Sequence, residues 1–172
     1  MDDASQAGTL ELKDLDATGR LAREVAATAP DGGLLILSGP LGAGKTTFTR
    51  LLAEALGSTA AVSSPTYTLV HEYPTPRGPL IHVDAYRLES ATELEALGLD
   101  DYLGRARLVV VEWGEALGDG HPEAWWLELG FGEDSGEVAP GEIAPGEGSA
   151  GETTARVARW RRAPPAGERP KP

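Results

Sequence analysis

The sequence predicts an α/β fold: three layers built on a mainly parallel central sheet, with a C-terminal β-hairpin. Three observations carry this. Short apolar runs alternate with segments of helical period along the chain. A glycine-rich loop stands between one such run and one such helix. The most apolar run, Leu108-Val109-Val110-Val111, shows no polar alternation, as expected of a parallel strand buried on both faces.

The elements follow in order. Asp14 or Asp16 caps a helix reaching about Thr28, with Leu21, Ala22, Val25 and Ala26 as its inward stripe. Pro30-Asp31-Gly32-Gly33 breaks the chain before a buried strand, Leu34–Leu37. After the glycine loop, Thr47–Leu56 reads as a helix burying Phe48, Leu51, Leu52, Ala55 and Leu56, ended by Gly57. Ser63–Thr66 is a loop into a strand at Tyr67–Tyr73; a Pro/Gly turn then leads to a second strand, Leu80–Asp84. Ser90-Ala91-Thr92-Glu93 is a capping box for a short helix to Leu97. Trp125–Phe131 and Ala155–Trp160 are expected to pair as the hairpin, with one ring of Trp125-Trp126 inward and one outward. Gly132–Glu152 carries six acids, no Lys or Arg, and Ala-Pro-Gly-Glu twice; it is expected to be a mobile loop. The expected organisation is one domain over 1–162 and a disordered Pro-rich tail over 163–172.

Residues Gly39-Pro40-Leu41-Gly42-Ala43-Gly44-Lys45-Thr46 fit G-x-x-x-x-G-K-[ST], the phosphate-binding P-loop. Its glycines let backbone N–H groups approach phosphate oxygens, and the helix opening at Thr47, just after Lys45 and Thr46, adds its own donors. The Lys45 ammonium is expected on the β/γ-phosphates and the Thr46 hydroxyl on Mg²⁺. The fold is therefore P-loop NTPase-like, and the expected ligand is a nucleoside triphosphate with Mg²⁺.

Ligands on such sheets bind at the carboxyl ends of the strands. Gly39, Asp84 and Glu112 each stand at or just beyond the end of an expected strand, so they should converge. Asp84 and Glu112 are the candidate metal-side acids; one can hold Mg²⁺ through water while the other ligates directly or orients the attacking water. Thr66 is a candidate switch-loop hydroxyl. For Arg87 a structural ion pair is favoured over charge neutralisation at the phosphates. His82 is expected outward on its strand or in the core, and Trp113 in the core.

Composition narrows the class. The chain has 172 residues, 27 acids against 15 bases and a net charge of −12, which argues against gripping nucleic acid directly. The absence of cysteine excludes thiol catalysis, disulfides and Cys-ligated zinc. The N-terminus has no signal-peptide character and no run is long enough for a membrane span, so a cytoplasmic protein is expected. There is no asparagine, which removes the guanine-reading motif of Ras-like GTPases, and the only glutamine is Gln6. ATP is favoured by elimination. A small-molecule kinase needs a basic lid, and the one long insertion has no base.

Four ordered segments, Gly39–Phe48, Ser64-Pro65-Thr66-Tyr67-Thr68-Leu69-Val70, His82-Val83-Asp84-Ala85-Tyr86-Arg87-Leu88 and Val111-Glu112-Trp113, closely resemble the bacterial TsaE (YjeE) family. Leu94–Tyr102 fits as well, and the likeness covers about residues 10–131. The resemblance implies a weak ATPase, stimulated by partners, in the formation of N6-threonylcarbamoyladenosine at position 37 of tRNAs reading ANN codons. It implies binding to the TsaD–TsaB heterodimer, in which TsaD and not this chain transfers the threonylcarbamoyl group; tRNA would be met only through that complex. Carried onto this sequence, Lys45 contacts phosphate, Thr46 and Glu112 serve Mg²⁺, Asp84 is the Walker B-like acid and Thr66 belongs to a switch-like loop. The adenine is expected between the start of the first helix, near Leu15, and the last hairpin, near Arg156. The competing class is a binding module in which ATP orders a docking surface and hydrolysis is incidental.

Overall fold

The computed structural model describes residues 7–62, 69–132 and 156–161. Seven strands form one sheet: β1 (Ala7–Leu12), β2 (Gly33–Ser38), β3 (Val70–Tyr73), β4 (Leu80–Asp84), β5 (Leu108–Glu112), β6 (Trp125–Phe131) and β7 (Arg156–Arg161). Their order is β1-β7-β6-β2-β5-β4-β3. The inner strands β6, β2, β5 and β4 are parallel; β3 runs antiparallel to β4, and β7 to β6 and β1. The expected three-layer α/β fold, parallel centre and C-terminal antiparallel pair are all present.

The pleat sorts the core into two layers, because successive strand residues point to opposite faces. Leu35 and Leu37 of β2, Leu80 of β4, and Leu108 and Val110 of β5 pack under α1 (Leu15–Thr28) and α2 (Lys45–Ala55). Leu34, Ile36, Ile81, Val83, Val109 and Val111 pack against α3 (Ala91–Ala96) and α4 (Leu99–Arg105) on the other face. Burying side chains such as Phe48, Leu52 and Ile36 fully stabilises the fold by about 1.5–3 kcal/mol each.

Local chemistry explains the element ends. Asp14 caps α1 by accepting from Ala17 N–H at 2.7 Å. Ser90 accepts from Glu93 N–H at 3.3 Å, but Glu93 reaches past the capping-box position to take the N–H of Glu89 at 2.9 Å. In α2, Ala53 takes the inward place expected for Ala55, which is exposed. Strand β3 begins at Val70 rather than Tyr67; residues 63–68 lie outside the described ones. Trp125 and Trp126 lie on opposite faces, yet both are half-buried, so neither ring points freely outward. The expected acidic loop over 132–152 falls outside the described residues except for Gly132, and the tail at 163–172 lies wholly outside them. No described helix is long and apolar enough to cross a membrane.

Candidate functional site

The register lines up three strand ends. Leu37 of β2 pairs with Glu112 of β5, and Glu112 pairs with Asp84 of β4. His82, Asp84, Val110 and Glu112 are all even-numbered, and the pleat sends their side chains to the face that carries α2. Gly39 follows β2 directly, so Gly39, Asp84 and Glu112 meet at one carboxyl edge as the sequence predicts.

The phosphate loop is fixed from both ends. Gly39 has φ 135°, and a Cβ there would lie 2.0 Å from the backbone oxygen of Leu129 in β6. Only glycine lets the loop leave β2 so close to its neighbour. Gly44, at φ 100°, is the N-cap of α2 and offers no side-chain acceptor. The first N–H groups of α2 are thus uncapped and open on the cleft, the arrangement that receives an anion.

A cleft of about 630 Å³ lies over this edge, lined by Leu41, Gly42, Gly44, Lys45, Thr46, Thr47, Leu69, Asp84, Tyr86, Arg87, Glu112, Trp113 and Arg156. Lys45 Nζ donates to the backbone oxygens of Gly39 at 2.7 Å and Pro40 at 3.0 Å. It also stands 4.4 Å from the centre of the Trp113 ring. Desolvation by burial pushes the Lys45 pKa below its ordinary value, and the nearby charges of Glu112, Asp84 and Glu115 oppose that shift. The ammonium is held by weak dipoles that phosphate oxygens could replace.

Glu112 is almost fully buried, and its Oε1 lies 2.9 Å from Nε2 of His82, whose ring is completely buried. Nδ1 of His82 has no hydrogen-bond partner among the described residues. Leaving such a group unsatisfied costs about 1–3 kcal/mol. Asp84 Oδ1 accepts from Tyr86 N–H at 2.9 Å, which turns the chain over the cleft mouth. Trp113 packs partly against the core, as expected, and also lines the cleft. It has φ 61°, a conformation costing a bulky L-residue about 1–2 kcal/mol, and its N–H bonds Leu37 O at 3.3 Å. The twist brings its half-buried indole beneath Lys45 and edge-on to Tyr86 at 5.3 Å.

Arg87, for which an ion pair is expected, makes none among the described residues and lines the cleft instead. Arg156 flanks it from β7, its guanidinium beside Gly44. Leu15 is exposed at the first turn of α1 and is not among the lining residues. Thr66 lies outside the described residues. Sequence reasoning placed Lys45, Thr46, Asp84 and Glu112 together but missed the His82–Glu112 bond and the place of Trp113 on the cleft. The shared even parity of His82 and Glu112 was the available signal.

No group of three or more His, Asp or Glu that could hold a metal occurs among the described residues. Mg²⁺ takes one or two protein oxygens and completes its shell with phosphates and water. The Thr46 hydroxyl and the Asp84 and Glu112 carboxylates supply hard oxygens on one wall. The donor set fits such an ion once a phosphate is beside it.

The family model for threonylcarbamoyl adenosine biosynthesis protein TsaE matches residues 12–137. The tRNA threonylcarbamoyladenosine biosynthesis protein TsaE of Bacillus subtilis is 44% identical over 108 residues, covering 63% of this chain and 67% of that one. Its Streptomyces coelicolor counterpart is 49% identical over 98 residues, covering 55% of this chain and 66% of that one. The matched segment is thus about two thirds of each relative's length. The crystal structure of Bacillus subtilis YdiB superposes with a TM-score of 0.63 at 27% identity, covering 91% of this chain and 86% of that one. The chain belongs to the TsaE family.

Proposed function

We propose that this protein is a Mg²⁺-dependent ATPase that serves N6-threonylcarbamoyladenosine formation on tRNA by acting on the TsaD–TsaB complex. The observation that carries the reading is the convergence of Lys45, Thr46, Asp84 and Glu112 on one cleft at the carboxyl edge of the sheet. The names of its relatives support the pathway. The net charge of −12 supports meeting tRNA through partners rather than directly.

In this reading Lys45 exchanges the oxygens of Gly39 and Pro40 for β- and γ-phosphate oxygens. The open N-terminus of α2 holds the phosphates through its N–H groups. Mg²⁺, held by Thr46 and one of the two carboxylates, would neutralise charge developing on the phosphates. The other carboxylate orients water. Arg87 and Arg156 stand on the cleft wall where they can add positive charge. Arg156 beside Gly44 remains the proposed boundary of the adenine site.

The test is ATP hydrolysis by the purified chain, alone and with TsaD and TsaB. Hydrolysis is expected to rise sharply with the partners and to disappear in Glu112→Gln. If Glu112→Gln loses hydrolysis but still supports repeated tRNA modification, the nucleotide acts as a gate for docking and the ATPase reading is wrong.

A further inference from the structure

We infer that His82 is a positioning residue: it holds one oxygen of Glu112 so that the carboxylate faces a divalent cation rather than collapsing onto Lys45. The inference rests on the reading of Glu112 as a metal-side acid. Three observations carry it. His82 Nε2 lies 2.9 Å from Glu112 Oε1, both groups are buried, and no other hydrogen bond reaches that carboxylate among the described residues. An ionised carboxylate only accepts, so the bond to it requires the tautomer with the proton on the imidazole Nε2. Lys45 and Glu112 attract one another across the site, yet no ion pair joins them among the described residues. The oxygens of Gly39 and Pro40 hold the cation on one side, and His82 holds the anion on the other.

The orphaned Nδ1 sharpens the point. At a fully buried position facing Val110 and near the Tyr73 ring, an aliphatic side chain would pack without an unsatisfied nitrogen. What the imidazole adds there is its bond to Glu112. In metal sites such outer partners fix the orientation of the groups that bind the ion.

The experiment compares His82→Phe, His82→Gln, Glu112→Gln and the double variant His82→Phe/Glu112→Gln. Each is saturated with a non-hydrolysable ATP analogue and titrated with Mn²⁺, with free Mn²⁺ read by electron paramagnetic resonance. Metal-free analogue affinity and melting temperature are measured on the same samples. His82→Phe is expected to weaken Mn²⁺ binding about 10–100-fold while metal-free analogue binding is unchanged. His82→Gln, whose amide N–H can stand where Nε2 stood, should recover most of the loss. In the Glu112→Gln background His82→Phe should add nothing. The inference fails if His82→Phe binds Mn²⁺ like the wild type while Glu112→Gln does not, or if its effect persists without the Glu112 carboxylate. If Glu112→Gln itself leaves Mn²⁺ affinity intact, the metal-side reading of Glu112 fails and this inference with it. Should His82→Phe not fold, His82→Gln against His82→Asn decides: equal Mn²⁺ affinities overturn the proposal.

Discussion

The two edges of the sheet each bury a cation, and they treat it differently. At the amino edge Arg107 is 2% exposed and fully engaged. Its Nε lies 3.0 Å from Asp31, and its terminal nitrogens donate to Pro30 O at 3.2 Å and Ala26 O at 2.7 Å. Arg77 closes over the same Asp31 at 2.6 Å. At the carboxyl edge Lys45 is 6% exposed, has two backbone oxygens and an aromatic face, and has its pKa pushed down. Around it stand a histidine nitrogen without a partner, a tryptophan at positive φ and two arginines outside any ion pair among the described residues. The amino edge completes its interactions within the chain. The carboxyl edge leaves them for something else to complete.

This contrast makes Lys45→Ala and Arg107→Met opposite kinds of variant. Lys45→Ala should cost about 3 kcal/mol or more of ATP binding, since charged hydrogen bonds contribute about 1.5–3 kcal/mol each. That is a loss of at least about 100-fold by isothermal calorimetry, with little change in melting. Arg107→Met should instead lower stability by about 1–3 kcal/mol, or roughly 2–12 °C in melting temperature, because it strips the Ala26 and Pro30 oxygens of their donor, while the half-exposed Asp31 keeps Arg77. Its folded fraction should bind ATP normally. Equal effects of the two variants on binding would erase the distinction between the edges.

The smallest expected effect is a pH slope. The folded-state pKa of Lys45 lies below 10.5, its unfolded value. Between those two pKa values the unfolded chain holds more protons, so the nucleotide-free protein gains stability as pH rises through that window. Lys45→Met removes this slope. Urea melts of both proteins from about pH 7.5 to about 10 should therefore diverge in favour of the wild type. Parallel curves would mean that the ammonium is better accommodated than its burial implies.

The parallel half of the fold was legible in the sequence because its signals are local. Val-rich β5, the loop motif and the Asp14 cap each declare themselves within a few residues. Strand β1 was missed because Ala7–Leu12 is mostly exposed and lacks clear alternation; it exists by pairing with β7, Ala7 opposite Arg161. Site residues carried by a motif or strand end, such as Lys45 and Glu112, were found for the same local reason. The His82–Glu112 bond needs the relative register of β4 and β5, which follows from packing between distant segments. Arg107 went unnoticed because its partners Ala26, Pro30 and Asp31 lie on the opposite side of the P-loop in sequence and offer mostly backbone.

Gly39 has a further consequence for how variants should be scored. Its missing Cβ makes room for the Leu129 oxygen of β6, a strand paired with β7 and hence with Arg156. A side chain at Gly39 would wedge β6 away from β2, within the parallel part of the sheet. A functional screen would count Gly39 among the phosphate contacts, whereas it is also the hinge pin on which β6 hangs beside β2.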